Sequence, residues 1–477
     1  MAADPRPEQE ILVNDVHSRL NATRVAEIAV PHDIDELRSV LHDAAARRLP
    51  VAISGGRHAM GGQQFCEGGV LLDMRQLQAV LGFDAERGLL EVAAGAQWPA
   101  VIAATHALQG DRIRWGIRQK QTGADDLTLG GSVAANGHGR GLLMQPIVAD
   151  VEALTVVLGD GEVVHCSRDR NAELFSLVIG GYGMFGVVAS VTLRLGERTK
   201  LRRLVDVLDV DDAASAFYRR VEDGCLYGDF QYAIEPGDDD FLRRGVLAVY
   251  ARAADDATVT DSGANLTGEQ WIGLLQLALT DKRRALQLYS QHYVATHGNV
   301  YWSDTMQLST YVPSYVDIMR QMNSAAHGEA GQDEGESLVI GELYTPAGKV
   351  LDFLEQSRRI LRETGAEDIY GTIRAIRRDD TTFLPWASQD FGCVIFNLRT
   401  RHSAAGIAHT HAVFRRLNQA ALDLGGSFFL TYGRAATREQ VERGYPRFSE
   451  WLRMKRRYDP ELRFQSEWWR HYARLFT

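Results

Sequence analysis

Short apolar segments alternate with glycine-rich turns in the N-terminal part of the chain. They are rich in Val, Leu and Ile and are bounded by Gly, Asp or Ser, which is typical of sheet strands. The predicted strands of this part cover residues 50–54, 70–74, 89–93, 151–158 and 187–195. Helical patterns lie between them, one beginning at the Asp33 cap and one covering residues 98–108. This alternation predicts a domain of mixed helices and strands.

The pattern changes beyond about Arg194. The later predicted helices cover residues 210–222, 268–289, 350–363 and 404–424, and the later predicted strands cover residues 338–346, 369–377 and 391–399. A polar segment rich in Gly and Glu, residues 327–336, is predicted to be a loop. We therefore expect a second domain with an antiparallel sheet and helices on one face, followed by an aromatic, basic tail. The predicted boundaries are 1–198, 199–425 and 426–477.

Composition narrows the class of protein. A chain of 477 residues predicts two or three domains at about 100–200 residues each. The formal net charge of −10 argues against a nucleic-acid binder. The four cysteines are far apart and predict neither a disulfide framework nor a metal site. The absence of a long apolar run argues against a membrane span, and the polar, acidic N-terminus argues against a secretion signal. A cytoplasmic location is the resulting expectation.

Glycines concentrate in three clusters that follow one another within residues 54–186. Adjacent glycines let the backbone adopt positive φ and approach a ligand closely, and consecutive N–H groups form nests that bind pyrophosphate. None of the clusters has the pattern of a P-loop or of a Rossmann fingerprint. Tight turns would explain any one cluster, but three in order favour a ligand site.

The clusters resemble motifs of the vanillyl-alcohol-oxidase, or p-cresol-methylhydroxylase-type, FAD family. The matching segments are Gly56-Arg57-His58, residues 129–141, and residues 171–175 with 180–186. Within the family, the chain is most similar to alditol and aldonolactone oxidases and to decaprenylphosphoryl-ribose oxidase. The resemblance is close over residues 25–195. It implies an α+β protein, with a two-subdomain FAD-binding domain and a substrate (cap) domain whose antiparallel sheet is flanked by helices.

The resemblance also implies which residues hold FAD. The set is Ser54, Gly55, Gly56, Arg57, His58, Ala59, Gly62, Gln63, Thr122, Gly130, Gly131, Ser132, Ala135, Asn136, Gly137, His138, Gly139, Gly186 and Val187. His58 matches the histidine that relatives join covalently to the isoalloxazine, although a non-covalent histidine is the alternative. Some relatives have a second tether through a cysteine, but residues 112–126 contain none.

Substrate residues are implied at three places in the second domain. Arg374 matches the arginine of a Glu-x-Arg strand, whereas Thr372 replaces the glutamate; a surface salt bridge is the alternative for Arg374. Cys393 matches an active-site cysteine, with Asn397 on the same strand face, although a buried cysteine is often only a small hydrophobe. Tyr432 or Arg434 lies where relatives place a lysine.

The proton acceptor stays open among Tyr432, His138 and solvent, with Glu342 as an additional carboxylate. The segment beginning Asp459-Pro460 resembles the family's closing segment, which folds back onto the FAD domain. The tail after it, residues 468–472, is expected to pack as an amphipathic cap or to line the flavin edge.

The expected function is FAD-dependent oxidation of an alcohol, carbohydrate-like or another secondary CH–OH compound, to the carbonyl. The hydride would pass to flavin N5, and O2 or another acceptor would reoxidise the flavin. The small residues around Gly137 leave room for O2 and favour an oxidase. One alternative is a quinone-linked dehydrogenase of a lipid-linked sugar; another is a flavin-binding protein without turnover.

Overall fold

A computed structural model describes residues 11–260, 266–309, 317–319 and 335–477, with only the backbone described at Ala214, Ser215 and Tyr218. The predicted loop at 327–336 lies outside the described residues except for its last two positions.

Twenty strands occur in the described part of the chain. They are β1 (Ile11–Val13), β2 (Thr23–Val25), β3 (Glu27–Ala29), β4 (Val51–Ser54), β5 (Val70–Asp73), β6 (Val80–Asp84), β7 (Leu89–Ala93), β8 (Trp115–Gly116), β9 (Val151–Val157), β10 (Val163–Ser167), β11 (Val187–Arg194), β12 (Gly196–Glu197), β13 (Lys200–Asp209), β14 (Cys225–Tyr232), β15 (Arg244–Arg252), β16 (Val300–Trp302), β17 (Glu336–Pro346), β18 (Asp368–Ile376), β19 (Phe391–Arg401) and β20 (Ser427–Phe428).

The α-helices of the same residues alternate with these strands. They are α1 (Ile34–Ala46), α2 (Trp98–Ala107), α3 (Leu129–Ala135), α4 (Ala172–Val178), α5 (Val210–Glu222), α6 (Gly268–Thr280), α7 (Lys282–Ala295), α8 (Val350–Thr364), α9 (Ala404–Asp423), α10 (Arg438–Gly444), α11 (Phe448–Tyr458) and α12 (Glu467–Leu475). No helix among the residues described is both long and apolar enough to cross a lipid bilayer.

The N-terminal part contains two main sheets. Strands β3, β5 and β4 form a parallel sheet, and strands β10, β9, β11, β7 and β6 form an antiparallel sheet in that order. The first glycine cluster follows β4, and the second contains α3. The first two glycine clusters therefore lie at turns between strands and helices. The α+β prediction is confirmed.

One antiparallel sheet of eight strands dominates the rest of the chain, in the order β16-β13-β15-β14-β18-β19-β17-β20. The register places Thr372 opposite both Gln231 and Ile395, and Ile395 opposite Glu342. These four side chains therefore share one face in a row across the sheet. Strands β13, β14 and β15 are not among the predicted strands. Charged residues interrupt β13, and Gly and Asp interrupt β14, which is unfavourable in strands, whereas the apolar run of β15 was overlooked.

Helices cover both faces of this sheet, so the prediction of helices on one face is wrong. Val246 and Ala248 of β15 pack with Tyr289 of α7. Val249 of β15 points to the opposite face of the sheet and packs in the main core. Ala213 of α5 packs in the same core. The predicted helix 268–289 is two helices, α6 and α7, which are separated at Asp281. These two helices cover the second face of the sheet.

The C-terminal segment returns to the N-terminal part. The N–H of Val51 in β4 donates to the carbonyl of Arg463 over 2.7 Å, and the N–H of Gln465 donates back to the carbonyl of Val51 over 3.0 Å. Trp468 of α12 is completely buried and donates through Nε1 to the carbonyl of Leu430 over 3.0 Å. The tail therefore packs as a cap. The three predicted domain boundaries stay a prediction.

Candidate functional site

A cavity of about 1080 Å³ lies between the glycine-rich loops and one face of the eight-stranded sheet. The loops after β4, around α3 and before β11 form one wall. Side chains of β14, β17, β18 and β19 form the opposite wall, and α6 with α7 closes one end. The cavity therefore joins the predicted flavin loops to the predicted substrate residues.

The first loop has the strained backbone expected of a ligand-binding turn. Arg57 adopts a left-handed conformation with φ of 62°, which is uncommon for a residue with a side chain. Its Nη2 lies 3.2 Å from Asp73 Oδ2, whereas no described residue forms a hydrogen bond with its buried Nε. A Cβ on Gly55 would lie 2.0 Å from Thr128 Oγ1, so only glycine lets this loop pack against the start of α3.

His58 faces the cavity from the same loop. Its Nε2 lies 3.0 Å from Asp126 Oδ1, and its side chain is 8% exposed. Burial alone would raise the pKa of Asp126, but the hydrogen bond and charge of His58 outweigh burial and lower that pKa. The carboxylate therefore holds the imidazole in one orientation at the cavity wall.

The second and third loops present small residues to the cavity. Ser132 and Ala135 of α3 line it, as does Gly186 before β11. Gly186 has φ of 142°, and a Cβ there would lie 2.5 Å from Val156 Cγ1. Without larger side chains, a flat ring can lie directly against this backbone.

Glu342 is the buried carboxylate on the sheet side of the cavity. Its Oε2 accepts hydrogen bonds from His138 Nε2 over 2.9 Å and from Tyr344 over 2.8 Å, and its Oε1 accepts one from Tyr432 over 2.7 Å. Burial alone would raise the pKa of Glu342, but His138, the Tyr432 hydroxyl and the Arg374 charge lower it overall. The group is therefore a carboxylate at neutral pH.

Tyr432 connects this carboxylate to the cavity. Its hydroxyl accepts a hydrogen bond from Gln121 Nε2 over 3.1 Å, so its own proton points to Glu342. Burial, followed by the charge of Glu342, raises the pKa of Tyr432 well above its usual value. The hydroxyl therefore stays protonated and can pass a proton only as it receives another.

Most of the predicted site residues lie on the cavity wall. They are Ser54, Gly55, Gly56, Arg57, His58, Ala59, Gln63, Thr122, Gly130, Gly131, Ser132, Ala135, Gly186, Thr372, Arg374, Asn397 and Tyr432. Glu342 also lines the cavity. The alternative of a surface salt bridge for Arg374 does not hold, because only 8% of the residue is exposed and no described carboxylate pairs with it.

Four residues of the second cluster support the wall from behind and do not line it. Asn136 caps α3 and donates to Asp379, and the N–H of Gly137 donates to Ser132. His138 is buried against Glu342, and Gly139 packs on the backbone of Lys120. Their predicted direct contact with FAD stays a prediction, and in the structure they contact the residues behind the cavity wall.

Four further predicted residues also lie off the wall. The carbonyl of Gly62 accepts from Trp468, and Val187 is a buried residue of β11. Cys393 is completely buried opposite Arg374, with its Sγ 4.0 Å from Glu342 Oε2, and burial raises the pKa of its thiol well above its usual value. Arg434 lines a separate cavity of about 110 Å³, so Tyr432 and not Arg434 reaches the large cavity.

Sequence reasoning missed several polar residues of the cavity. Gln121, Arg140, Asp229, Gln231 and Tyr370 all line it. Arg140 belongs to a quoted glycine motif and could have been found there, whereas Asp229 and Gln231 lie on a strand with no recognisable pattern. Their role depends on long-range pairing that local sequence does not reveal.

The residues of the cavity fit an FAD group. The buried Thr122 Oγ1 and Arg57 Nε on the wall have no hydrogen-bond partner among the described residues and can bond polar atoms of a cofactor. Main-chain N–H groups of the first loop suit the pyrophosphate, and the small residues Ser132 and Ala135 suit the ring. The described residues also place His138, Glu342 and Cys393 together, but the hydrogen bonds to Glu342 account for that cluster without a metal.

Comparison with known proteins agrees with this geometry. A family described as an FAD binding domain matches residues 25–167. An uncharacterized oxidoreductase of the fasciation locus of Rhodococcoides fascians is 35% identical over 168 residues, covering 35% of this chain and 37% of that protein. Cytokinin dehydrogenase 1 of Arabidopsis thaliana is 29% identical over 229 residues, covering 45% of this chain and 38% of that protein.

L-gulonolactone oxidase of Bos taurus is 30% identical over 199 residues, covering 40% of this chain and 43% of that protein. The matched segments thus span less than half of each relative. The family match coincides with the loops after β4 and around α3, where the cavity wall fits a flavin. Residues 25–167 therefore match an FAD binding domain, and the cavity wall that these residues help to form fits a flavin.

Proposed function

We propose that the protein is an FAD-dependent oxidoreductase that oxidises an alcohol to a carbonyl compound by hydride transfer to flavin N5. The observation that carries this proposal is the Tyr432–Glu342 pair, which faces the flavin loops across the cavity beside Arg374. When bound, the flavin supplies the two-electron acceptor. The chain must supply binding of the alcohol and removal of its hydroxyl proton.

The proton path follows from the hydrogen bonds of Tyr432. An alcohol hydroxyl that donates to Tyr432 can pass its proton to that oxygen while Tyr432 passes its own proton to Glu342. Arg374 faces the same space, and its buried Nε has no hydrogen-bond partner in the part of the chain that the structure describes. Its fixed charge therefore suits an oxygen that becomes more negative as the proton leaves.

The test of this function is anaerobic bleaching of the flavin absorbance by a panel of alcohols, hydroxy acids and lactones. Amines are included because several relatives are cytokinin dehydrogenases. We expect at least one alcohol to bleach the wild-type protein and Arg374→Met to bleach much more slowly. A flavin that dithionite bleaches and no panel member bleaches would instead support a flavin-binding protein without turnover.

We also propose that His58 anchors the flavin covalently, because its imidazole lies at the cavity wall and is oriented by Asp126. Acid precipitation should leave the yellow colour in the pellet. His58→Ala should release the flavin to the supernatant, whereas the exposed control His409→Ala should retain it. Free flavin from the unmutated protein would remove the anchor and leave the cofactor assignment unaffected.

The electron acceptor is proposed to be O2. Gly137 does not line the cavity, so its small size does not support access of O2. The proposal is supported by one relative that is named as an oxidase. Air-saturated buffer should reoxidise the photoreduced protein within seconds in a stopped-flow experiment. Reoxidation over minutes or longer would exclude the oxidase; faster reoxidation by a quinone would then favour the quinone-linked dehydrogenase.

A further inference from the structure

The end of the large cavity under α6 and α7 has an apolar side wall. Trp271, Leu274 and Ala278 of α6 line the cavity at intervals of three and four residues, so one face of this helix points into it. Leu286 and Tyr289 of α7 line the cavity as well. Apolar side chains that face a cavity are suited to an apolar part of a ligand.

Arg203 of β13 is a buried cation at the same end. It is 7% exposed and lines the cavity. Its Nε donates to the hydroxyl of Tyr250 over 3.0 Å, and its Nη1 donates to the hydroxyl of Thr296 over 2.9 Å. These bonds use two of the five N–H groups of the guanidinium, so three remain for a ligand. No carboxylate in the described part of the chain forms an ion pair with Arg203.

The aromatic rings around Arg203 do not supply a counter-charge. Its guanidinium lies 4.6 Å from the ring centroid of Tyr301 and 5.3 Å from those of Tyr250 and Tyr293. Cation–π contacts attract the guanidinium, but the rings are neutral and cannot cancel its charge. A buried charge without a counter-ion is costly, which favours an anion in the adjoining part of the cavity.

The other ionisable groups at this end do not take the place of that anion. Asp229 of β14 also lines the cavity, but the register between β14 and β18 puts it opposite Arg374. Burial opposes the charge of Arg140, but Asp229 and then nearby tyrosines raise the pKa of Arg140, so Asp229 interacts with a second cation. Burial and then the charge of Arg203 lower the pKa of His292, which is therefore neutral at pH 7. The net charge of this end is positive.

Arg203 is far from the proposed reaction site. Arg203 lies on β13 and Glu342 on β17, and the order β13-β15-β14-β18-β19-β17 separates the two strands by five strand spacings. At about 4.8 Å for each spacing, the two strands are roughly 24 Å apart across the sheet. An anion at Arg203 is therefore at the opposite end of an extended ligand from the group that reacts.

We propose that this end of the cavity binds a carboxylate or a phosphate through Arg203, so that the substrate is an alcohol with an apolar middle part and an anionic far end. This inference rests on the proposed function, because it takes the reacting hydroxyl to lie beside Tyr432 and Arg374. The anion accepts from the remaining N–H groups of Arg203. The apolar part of the substrate packs against α6 and α7.

Binding without turnover is measured by the melting temperature of the FAD-bound protein with octanoate, octyl phosphate or neutral octanol. We expect at least one of the two anions to raise the melting temperature of the wild-type protein at concentrations where octanol does not. Arg203→Met should abolish this rise, and Arg203→Lys, which keeps the charge, should retain part of it. The exposed neighbour Arg202 offers a matched control, and Arg202→Met should keep the full rise.

Anaerobic bleaching connects the anionic site to the reaction. Because the two ends are roughly 24 Å apart, terminal hydroxy acids and hydroxyalkyl phosphates of about 8 to 16 carbons are compared with terminal diols of the same length. We expect the best anionic alcohol to exceed its diol about 10- to 100-fold in kcat/KM, the usual effect of a hydrogen bond to a charged group. Arg203→Met should reduce this ratio towards one, and Arg202→Met should preserve it.

Flavin content and circular dichroism of each variant show that it has folded. The absence of a rise in melting temperature with either anion, or an equal rise in Arg203→Met, would overturn the anionic site. A ratio of one in the wild-type protein, or a ratio that Arg203→Met leaves unchanged, would overturn it as well. Bleaching by none of these compounds or of the wider panel would overturn the proposed function, whereas the melting temperatures would still decide whether the anionic site exists.

Discussion

Replacing Glu342 with Gln should slow anaerobic reduction of the flavin by alcohol about 10²- to 10⁴-fold, the usual contribution of a positioned proton acceptor. Gln keeps the size of the side chain but cannot take the proton that Tyr432 passes on. Because the carboxylate also accepts from His138 and Tyr344, the amide is held in nearly the same place. The loss should therefore fall on the rate of reduction and not on flavin binding.

Stopped-flow bleaching at saturating alcohol measures this rate, and Tyr432→Phe should give a loss of similar size. Tyr344→Phe is the matched control, because Tyr344 donates an equivalent hydrogen bond of 2.8 Å to Glu342 but does not line the cavity. A large loss in Tyr344→Phe, or none in Glu342→Gln, would mean that the carboxylate organises the core and does not accept the proton.

Lys455→Met should lower the free energy of unfolding by about 3–5 kcal/mol, because it leaves the buried carboxylate of Asp459 without its cation. Lys455 is completely buried in α11 and pairs with Asp459, and burial lowers its pKa to about 8. The Asp459 carboxylate also accepts from the N–H groups of Arg463 and Phe464, over 2.8 Å each. The ion pair thus holds the closing segment against β4.

Thermal unfolding followed by circular dichroism measures this effect. The exposed neighbour provides the control, since Arg456→Met removes a cation of the same helix without uncovering a buried charge. An unchanged melting temperature in Lys455→Met would show that the closing segment is held by its apolar contacts alone.

Local sequence signals were sufficient to predict many strands and helices of the N-terminal part. Strand β7 coincides with its predicted range, because a short apolar run bounded by polar turns has few other ways to fold. The start of α1 follows from Asp33, whose side chain accepts from the N–H of Glu36. The first glycine cluster was recognisable from the sequence and lies on the cavity wall, although the contact that requires glycine at position 55, with Thr128, is long-range.

The sheet side of the cavity could not be predicted in this way. His138 and Glu342 are 204 residues apart in sequence and meet only because the eight-stranded sheet brings β17 against the segment after α3. The register between β14 and β18 likewise brings Gln231 opposite Thr372. Family resemblance indicated Thr372, Arg374 and Cys393, and the register puts Cys393 opposite Arg374 on the same sheet face; their contact with a substrate stays a prediction.

The most direct test of the account is the anaerobic bleaching rate with an alcohol that carries deuterium on its carbinol carbon. If the cavity brings that carbon to the flavin and Tyr432 removes the hydroxyl proton, the deuterated alcohol must bleach the wild-type flavin more slowly than the unlabelled alcohol does. The final absorbance must be the same for both. Equal rates for the two alcohols, with bleaching unaffected in both Glu342→Gln and Arg374→Met, would contradict alcohol oxidation at this site.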